Sequence, residues 1–150
     1  MDRTLRGLAA GLIGSVVMNI WNLLSFYTLN LADKRFIDWS STLVFGRMAT
    51  SFSEIMLSLI FQVVWSSFFG VIFALLIPTI TSQAYIIKGA VFGFLLSFIF
   101  YIVPMLFRVP FLAEATVGTV ITEMVGGTIW GITTAVVLAY LSKYNRLVNG

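Results

Sequence analysis

One acidic residue, Glu123, lies inside an otherwise uncharged apolar stretch and is the residue of this sequence best placed for chemistry. An ionised carboxyl near the centre of a membrane costs about 2.5 to 3.5 kcal/mol on insertion scales, and such residues are usually functional. The rise of a helix per residue puts three other polar side chains at similar depths, Gln62, Asn22 and Tyr101, and Asn19 a little deeper. We therefore predict a buried polar layer formed by these five residues.

Two roles of this polar layer stay open. In the first, it holds helices together through interhelical hydrogen bonds, each worth about 0.6 to 2 kcal/mol. In the second, Glu123 alternates between charged and neutral forms in a proton or cation relay. No Lys or Arg lies inside the apolar stretches, so we expect a neutral Glu123 hydrogen-bonded to Asn or Gln. The packing role is favoured because a relay normally needs more than one titratable group.

The residue types that are missing exclude several kinds of active site. The chain contains no Cys and no His, which removes thiolate metal sites, cysteine nucleophiles and Ser-His catalysis. No apolar stretch contains the pair of Asp residues that intramembrane aspartyl chemistry requires. We expect no enzymatic activity, no metal and no cofactor. We expect no nucleic-acid partner either, because the basic residues form no stripe.

The amino-acid composition indicates which solvent surrounds the chain. Apolar residues make up 59% of the 150 positions and charged residues 10%, against about 25% charged in soluble domains. A chain this short cannot bury so much apolar surface in water, so its solvent is the lipid bilayer. We predict a single all-α domain over residues 1–150, a bundle of four transmembrane helices at about 8–31, 55–77, 89–107 and 115–141.

The segments between the predicted spans carry their own signals. Pro78 and the polar residues up to Gln83 indicate a turn between the second and third spans. In the long loop 32–53, Asp38 is placed to cap a short helix through Phe45, with an apolar edge for the membrane interface formed by Trp39, Leu43 and Val44. An irregular loop anchored by the Trp is an equally good interpretation. Ser51 and Glu54 have the spacing of a capping box, which favours a structural role for Glu54.

Small residues recur every four positions in the predicted helices, which places them on one face of each helix. Such faces let membrane helices approach closely, and we predict helix packing by Gly7, Gly11, Gly70, Gly89, Gly93, Gly127 and Gly131. An offset of 82 residues superimposes the first stripe on the third, and an offset of 61 superimposes the second on the fourth. The two offsets favour a duplicated helical hairpin, with chance similarity among small residues as the alternative.

The basic residues bear on orientation and on lipid contact. The side that carries both termini is flanked by five basic residues, Arg3, Arg6, Lys88, Lys143 and Arg146. The other side is flanked by four, Lys34, Arg35, Arg47 and Arg108. This weak majority favours a multi-pass protein of the cell membrane with cytoplasmic termini. Arg108 is expected either to pair with Glu114 or to hold a lipid phosphate.

The four spans, the long first loop, the Lys88-Gly89 start and the Thr116 to Glu123 segment resemble uncharacterised small bacterial membrane proteins of the YqhR type. The resemblance implies a four-span membrane protein and no activity. From the residues, we expect a structural or accessory subunit that associates with itself or with a membrane-protein partner. The alternative is a small oligomeric transporter or channel that uses Glu123.

Overall fold

The computed structural model describes residues 2–77 and 84–149, with side chains described as far as residue 143. Within these ranges the chain forms five helices and no strand: α1 Arg3–Tyr27, α2 Phe36–Phe45, α3 Phe52–Leu76, α4 Tyr85–Phe107 and α5 Val117–Asn149. Four of them, α1, α3, α4 and the Val117–Lys143 part of α5, are long and apolar enough to cross a membrane. The protein is therefore an all-α, four-span integral membrane protein, as predicted.

The ends of the spanning helices differ from the predicted ends because polar side chains cap them. Helix α1 begins at Arg3 rather than near residue 8, because the Asp2 carboxylate accepts a hydrogen bond from the Arg3 N–H at 2.6 Å. Helix α5 begins at Val117, where the Thr116 hydroxyl accepts from the N–H of Thr119 at 3.3 Å. The predicted turn at residues 78–83 lies outside the described residues.

The capping box at the start of α3 is confirmed. The Ser51 hydroxyl accepts from the Glu54 N–H at 3.3 Å, and the Glu54 carboxylate accepts from the Ser51 N–H at 3.4 Å. The same carboxylate pairs with the Arg47 guanidinium at 2.6 Å. Glu54 therefore fixes the beginning of α3 and ties it to the preceding loop, which is the structural role that its spacing predicted.

The helices pack in pairs, α1 with α3 and α4 with α5, and the two pairs meet where α1 packs along α5. A Cβ placed on Gly7 would come within 2.8 Å of the Gly70 carbonyl oxygen. A Cβ on Gly89 would likewise overlap the main chain of Gly131. Gly89 follows Gly7 by 82 positions and Gly131 follows Gly70 by 61, so the contacts repeat at the two offsets that predicted a duplicated hairpin.

The repeated hairpins do not close into a symmetric bundle. Helices α3 and α4 approach each other through aromatic rings, with centroids 5.9 Å apart for Phe69 and Phe100 and 5.3 Å apart for Phe73 and Phe92. Along the described ranges their main chains do not pack together as those of the other neighbouring helices do. A cleft therefore runs between α3 and α4, and α2, which packs on α3, covers one end of it.

Candidate functional site

Helix α2 lies against the spanning helices. Its first turn is closed by Asp38, whose carboxylate accepts from the Arg35 N–H at 2.8 Å, and Gly46 ends it at a left-handed φ of 69°. Asp38 thus acts from the third helical position, and the helix begins two residues before the position predicted for its cap. The Phe36 N–H donates to the Asn22 side-chain oxygen at 3.0 Å, which ties α2 to α1.

The Glu123 carboxylate is held by α2. The Trp39 indole N–H donates to Glu123 Oε1 at 2.7 Å, and the two residues are only 7% and 1% exposed. The ring of Tyr101 lies edge-on to the Trp39 ring, with centroids 5.5 Å apart. The contact therefore joins α2, α4 and α5 around one buried acid.

Two expectations about this contact were wrong. Trp39 was predicted at the membrane interface, but it points into the bundle, while Leu43 and Val44 form the exposed edge of α2 as predicted. Glu123 was expected to pair with an Asn or Gln, but its partner is an indole from the loop between the first two spans. The indole is a donor without an acceptor, so it satisfies a carboxylate without supplying a second titratable group.

The other predicted members of the polar layer lie apart from this contact or lack partners. Asn19 donates to the Ser15 carbonyl on its own helix at 2.8 Å, and Asn22 accepts from α2. The buried side-chain amide of Gln62 has no hydrogen-bond partner among the described residues. The Tyr101 hydroxyl, in contrast, interacts with the Glu123 carboxylate. The structure thus brings Glu123 and Tyr101 together around Trp39, and it does not join all five side chains in one network.

Gln62 does not join the Glu123 contact and lines a cavity. The cavity has a volume of about 170 Å³ and lies in the cleft between α3 and α4, next to α2. Trp39 contributes to its wall as well as to the Glu123 contact, so the two features share one side chain. Nothing in the sequence pattern indicated this cavity, because period-four stripes do not say which two helices stay apart.

A second polar cluster joins the loop between α1 and α2 to the start of α5. The Asp33 carboxylate accepts from the hydroxyls of Thr116, at 2.7 Å, and of Thr119. The neighbouring Lys34 ammonium donates to the Glu114 carbonyl. A carboxylate beside the first turn of a helix also interacts favourably with the helix dipole. The cluster was missed at the sequence level, although a threonine just before a helix and a second one three positions later, in its first turn, were a usable signal.

Asp33 is expected to make the protein sensitive to acid. Burial acts to raise the pKa of Asp33, but the hydrogen bonds from Thr119 and Thr116 and the charge of Lys34 outweigh burial and lower the pKa below its ordinary value. A lowered pKa stabilises the fold above the unfolded value of about 3.9, and the contribution is lost as the pH falls toward the folded value. The difference in Tm between wild type and Asp33→Asn should therefore be constant from about pH 5 to 8 and shrink below about pH 4.

Thermal unfolding in detergent at stepped pH measures this difference. Glu114→Gln is the matched control, because it keeps the main-chain carbonyl that accepts from Lys34. When it is introduced into both proteins, the difference in Tm between wild type and Asp33→Asn should stay unchanged. A difference that grew on acidification would contradict the assignment of the cluster.

Arg108 is exposed immediately after α4, at a left-handed φ of 48°. In the part of the chain that the structure describes, no ion pair joins it to Glu114. The first of its two predicted roles is therefore wrong. Contact with a lipid phosphate stays a prediction.

Comparison with known proteins places the chain in a family without adding an activity. The chain belongs to a family of unknown function (DUF6789), whose model matches residues 1–149. Comparisons with curated proteins and with solved structures found no match.

Proposed function

We propose that this integral membrane protein is a non-enzymatic accessory subunit that serves as a helical scaffold in a homo-oligomer or a larger membrane assembly. The observation that carries the proposal is the Glu123–Trp39 hydrogen bond of 2.7 Å. It gives the acid within the fourth span a structural use, because the carboxylate holds α2 in place. A catalytic or relay acid must instead be reachable by its substrate or proton, whereas Glu123 is 1% exposed.

The glycine contacts support a static framework. Gly93 and Gly127 hold α4 and α5 so close that a Cβ on either residue would overlap the opposite main chain or the Ser97 side chain. Because these stripes face other helices of the same chain, a partner would meet the large aliphatic and aromatic side chains that point toward lipid. The bundle end that carries both termini faces the cytoplasm in this proposal, as the Lys and Arg count favours.

The proposal predicts an assembly of fixed stoichiometry that does not depend on the charge of Glu123. The tagged protein, purified from its native membrane in mild detergent, should elute as one complex whose mass exceeds that of the monomer. Glu123→Gln keeps an oxygen acceptor for Trp39, so the variant should form the same complex. Size exclusion with native mass spectrometry measures both. A monodisperse monomer for the wild type would contradict the accessory role.

A transport function is the alternative, and the unpartnered polar atoms favour it. Among the described residues, side-chain polar atoms without a partner recur on three spanning helices, for example at Asn19 of α1, Gln62 of α3 and Thr134 of α5. Such groups suit a hydrated path through which Glu123 could exchange a proton. Proton flux into proteoliposomes would test this alternative. If the wild type conducts protons and Glu123→Gln does not, transport replaces the accessory role as the proposed function.

A further inference from the structure

The cavity between α3 and α4 has the size of a single ring. Its volume of about 170 Å³ is close to the roughly 150 Å³ of an engineered apolar cavity that binds benzene. Its wall includes Phe61 and Trp65, which are 49% and 50% exposed on the side of the cleft that faces lipid. A molecule dissolved in the bilayer can therefore enter laterally, without crossing the polar end of the bundle.

The wall of the cavity favours a flat, uncharged occupant. Aromatic rings reach it from four helices, with Trp39 from α2, Trp65 from α3, Phe100 from α4 and Trp130 from α5. None of the described residues that line it is ionisable. Aromatic side chains stack well on a planar ring, whereas a charged head group would be buried without a counter-charge.

One polar group points to the chemistry of that occupant. Gln62 lines the cavity, is only 6% exposed, and neither its side-chain nitrogen nor its oxygen has a partner among the described residues. A buried amide without hydrogen bonds is costly, and ligand sites are typically apolar pockets with a few such groups. The amide both donates and accepts, so it suits a carbonyl as well as a hydroxyl.

We propose that this cavity binds the ring of a membrane quinone or quinol, with the isoprenoid chain leaving between α3 and α4. The Gln62 nitrogen donates to a quinone carbonyl, and the Gln62 oxygen accepts from a quinol hydroxyl. The proposal concerns binding of the two forms and includes no electron transfer. It goes beyond the accessory role and does not depend on it.

The test uses tryptophan fluorescence, because Trp39, Trp65 and Trp130 line the cavity. The full chain, in nanodiscs of phosphatidylcholine, is titrated with decylubiquinone as the probe. We expect saturable quenching, and about tenfold weaker binding for Gln62→Leu, the effect of losing about one hydrogen bond. Ser58→Ala is the matched control, because it removes another buried unpartnered polar group from α3 and should leave the affinity unchanged.

A second variant keeps the test decisive if Gln62→Leu does not fold. Leu96→Phe narrows the cavity from α4 without altering Gln62, and it should also weaken saturable quenching. The proposal is overturned if quenching rises linearly with the probe and equally in all variants. It is also overturned if lipids with brominated acyl chains quench the same tryptophans and the quinone then adds no saturable quenching. The second outcome would identify a groove for phospholipid chains.

Discussion

Replacing Gly93 with leucine is expected to separate α4 from α5 and to remove most of the stability of the bundle. A Cβ at this position would overlap the Gly127 carbonyl oxygen and would lie 3.0 Å from the Gly131 nitrogen. Both neighbours are main-chain atoms of a packed helix, so neither can move aside as a flexible side chain would. Overpacking typically costs about 1 to 3 kcal/mol, and we expect a loss of about 3 kcal/mol or more where the obstacle is backbone.

Thermal unfolding in detergent, followed by circular dichroism, measures this loss. Val91→Leu is the matched control, since it enlarges a side chain on the same helix that is 52% exposed toward lipid, and its Tm should stay at the wild-type value. Gly11→Ala extends the comparison to the other hairpin. A Cβ there would meet its nearest atoms at 2.9 Å, so its effect should be smaller than that of Gly93→Ala. Equal Tm values for Gly93→Leu and Val91→Leu would contradict the close packing of α4 on α5.

Replacing Glu123 with leucine is expected to release α2 from the bundle. The change leaves the buried Trp39 indole N–H without an acceptor, which costs about 1 to 3 kcal/mol. Hydrogen bonds between membrane helices reach about 1.7 kcal/mol, so we expect a net loss of about 1 to 2 kcal/mol. Glu123→Gln retains an oxygen acceptor and should lose less.

A double-mutant cycle separates the hydrogen bond from the packing of the two side chains. The cycle combines Glu123→Leu with Trp39→Phe, and the pair should be less destabilising than the sum of the single changes, because no orphaned donor or carboxylate remains. Hydrogen exchange adds a local readout, since the amides of α2 should exchange faster in Glu123→Leu. Additive changes in Tm with unaltered exchange in α2 would contradict the proposed role of Glu123.

The spans and the helix pairing were predictable from the sequence because both depend on patterns within a single helix. Long uncharged runs fix where a helix can cross lipid. The stripes that contain Gly7 and Gly70, repeated at Gly89 and Gly131, also indicated which faces would meet. Two helices approach closely only where both carry a small residue. A small-residue stripe on one helix therefore has to meet a small-residue stripe on its partner.

The partner of Glu123 was not predictable in the same way. The α2 sequence has apolar residues on one edge and polar residues on the other, which equally suits a helix lying on a membrane surface. Its insertion depends on Asn22 and Gly126, residues of two other helices that receive the Phe36 N–H and the Phe36 ring. A single sequence does not reveal that these distant positions form one recess. The cleft between α3 and α4 also escaped prediction, since the small-residue stripes do not say which two helices stay apart.

The packing of α1 along α5 has a consequence for biosynthesis. The Trp21 indole donates to the Thr122 carbonyl at 3.0 Å, and the Trp130 indole donates to the Gly11 carbonyl at 3.2 Å. The segment from Tyr27 to Val117 takes about 5 to 20 s to translate at about 5 to 20 residues per second. Helix α1 therefore leaves the ribosome about 5 to 20 s before α5, the helix that completes its polar face. Assembly of the bundle is therefore completed only when the last helix leaves the ribosome, and lipid or the insertion machinery covers that face until then.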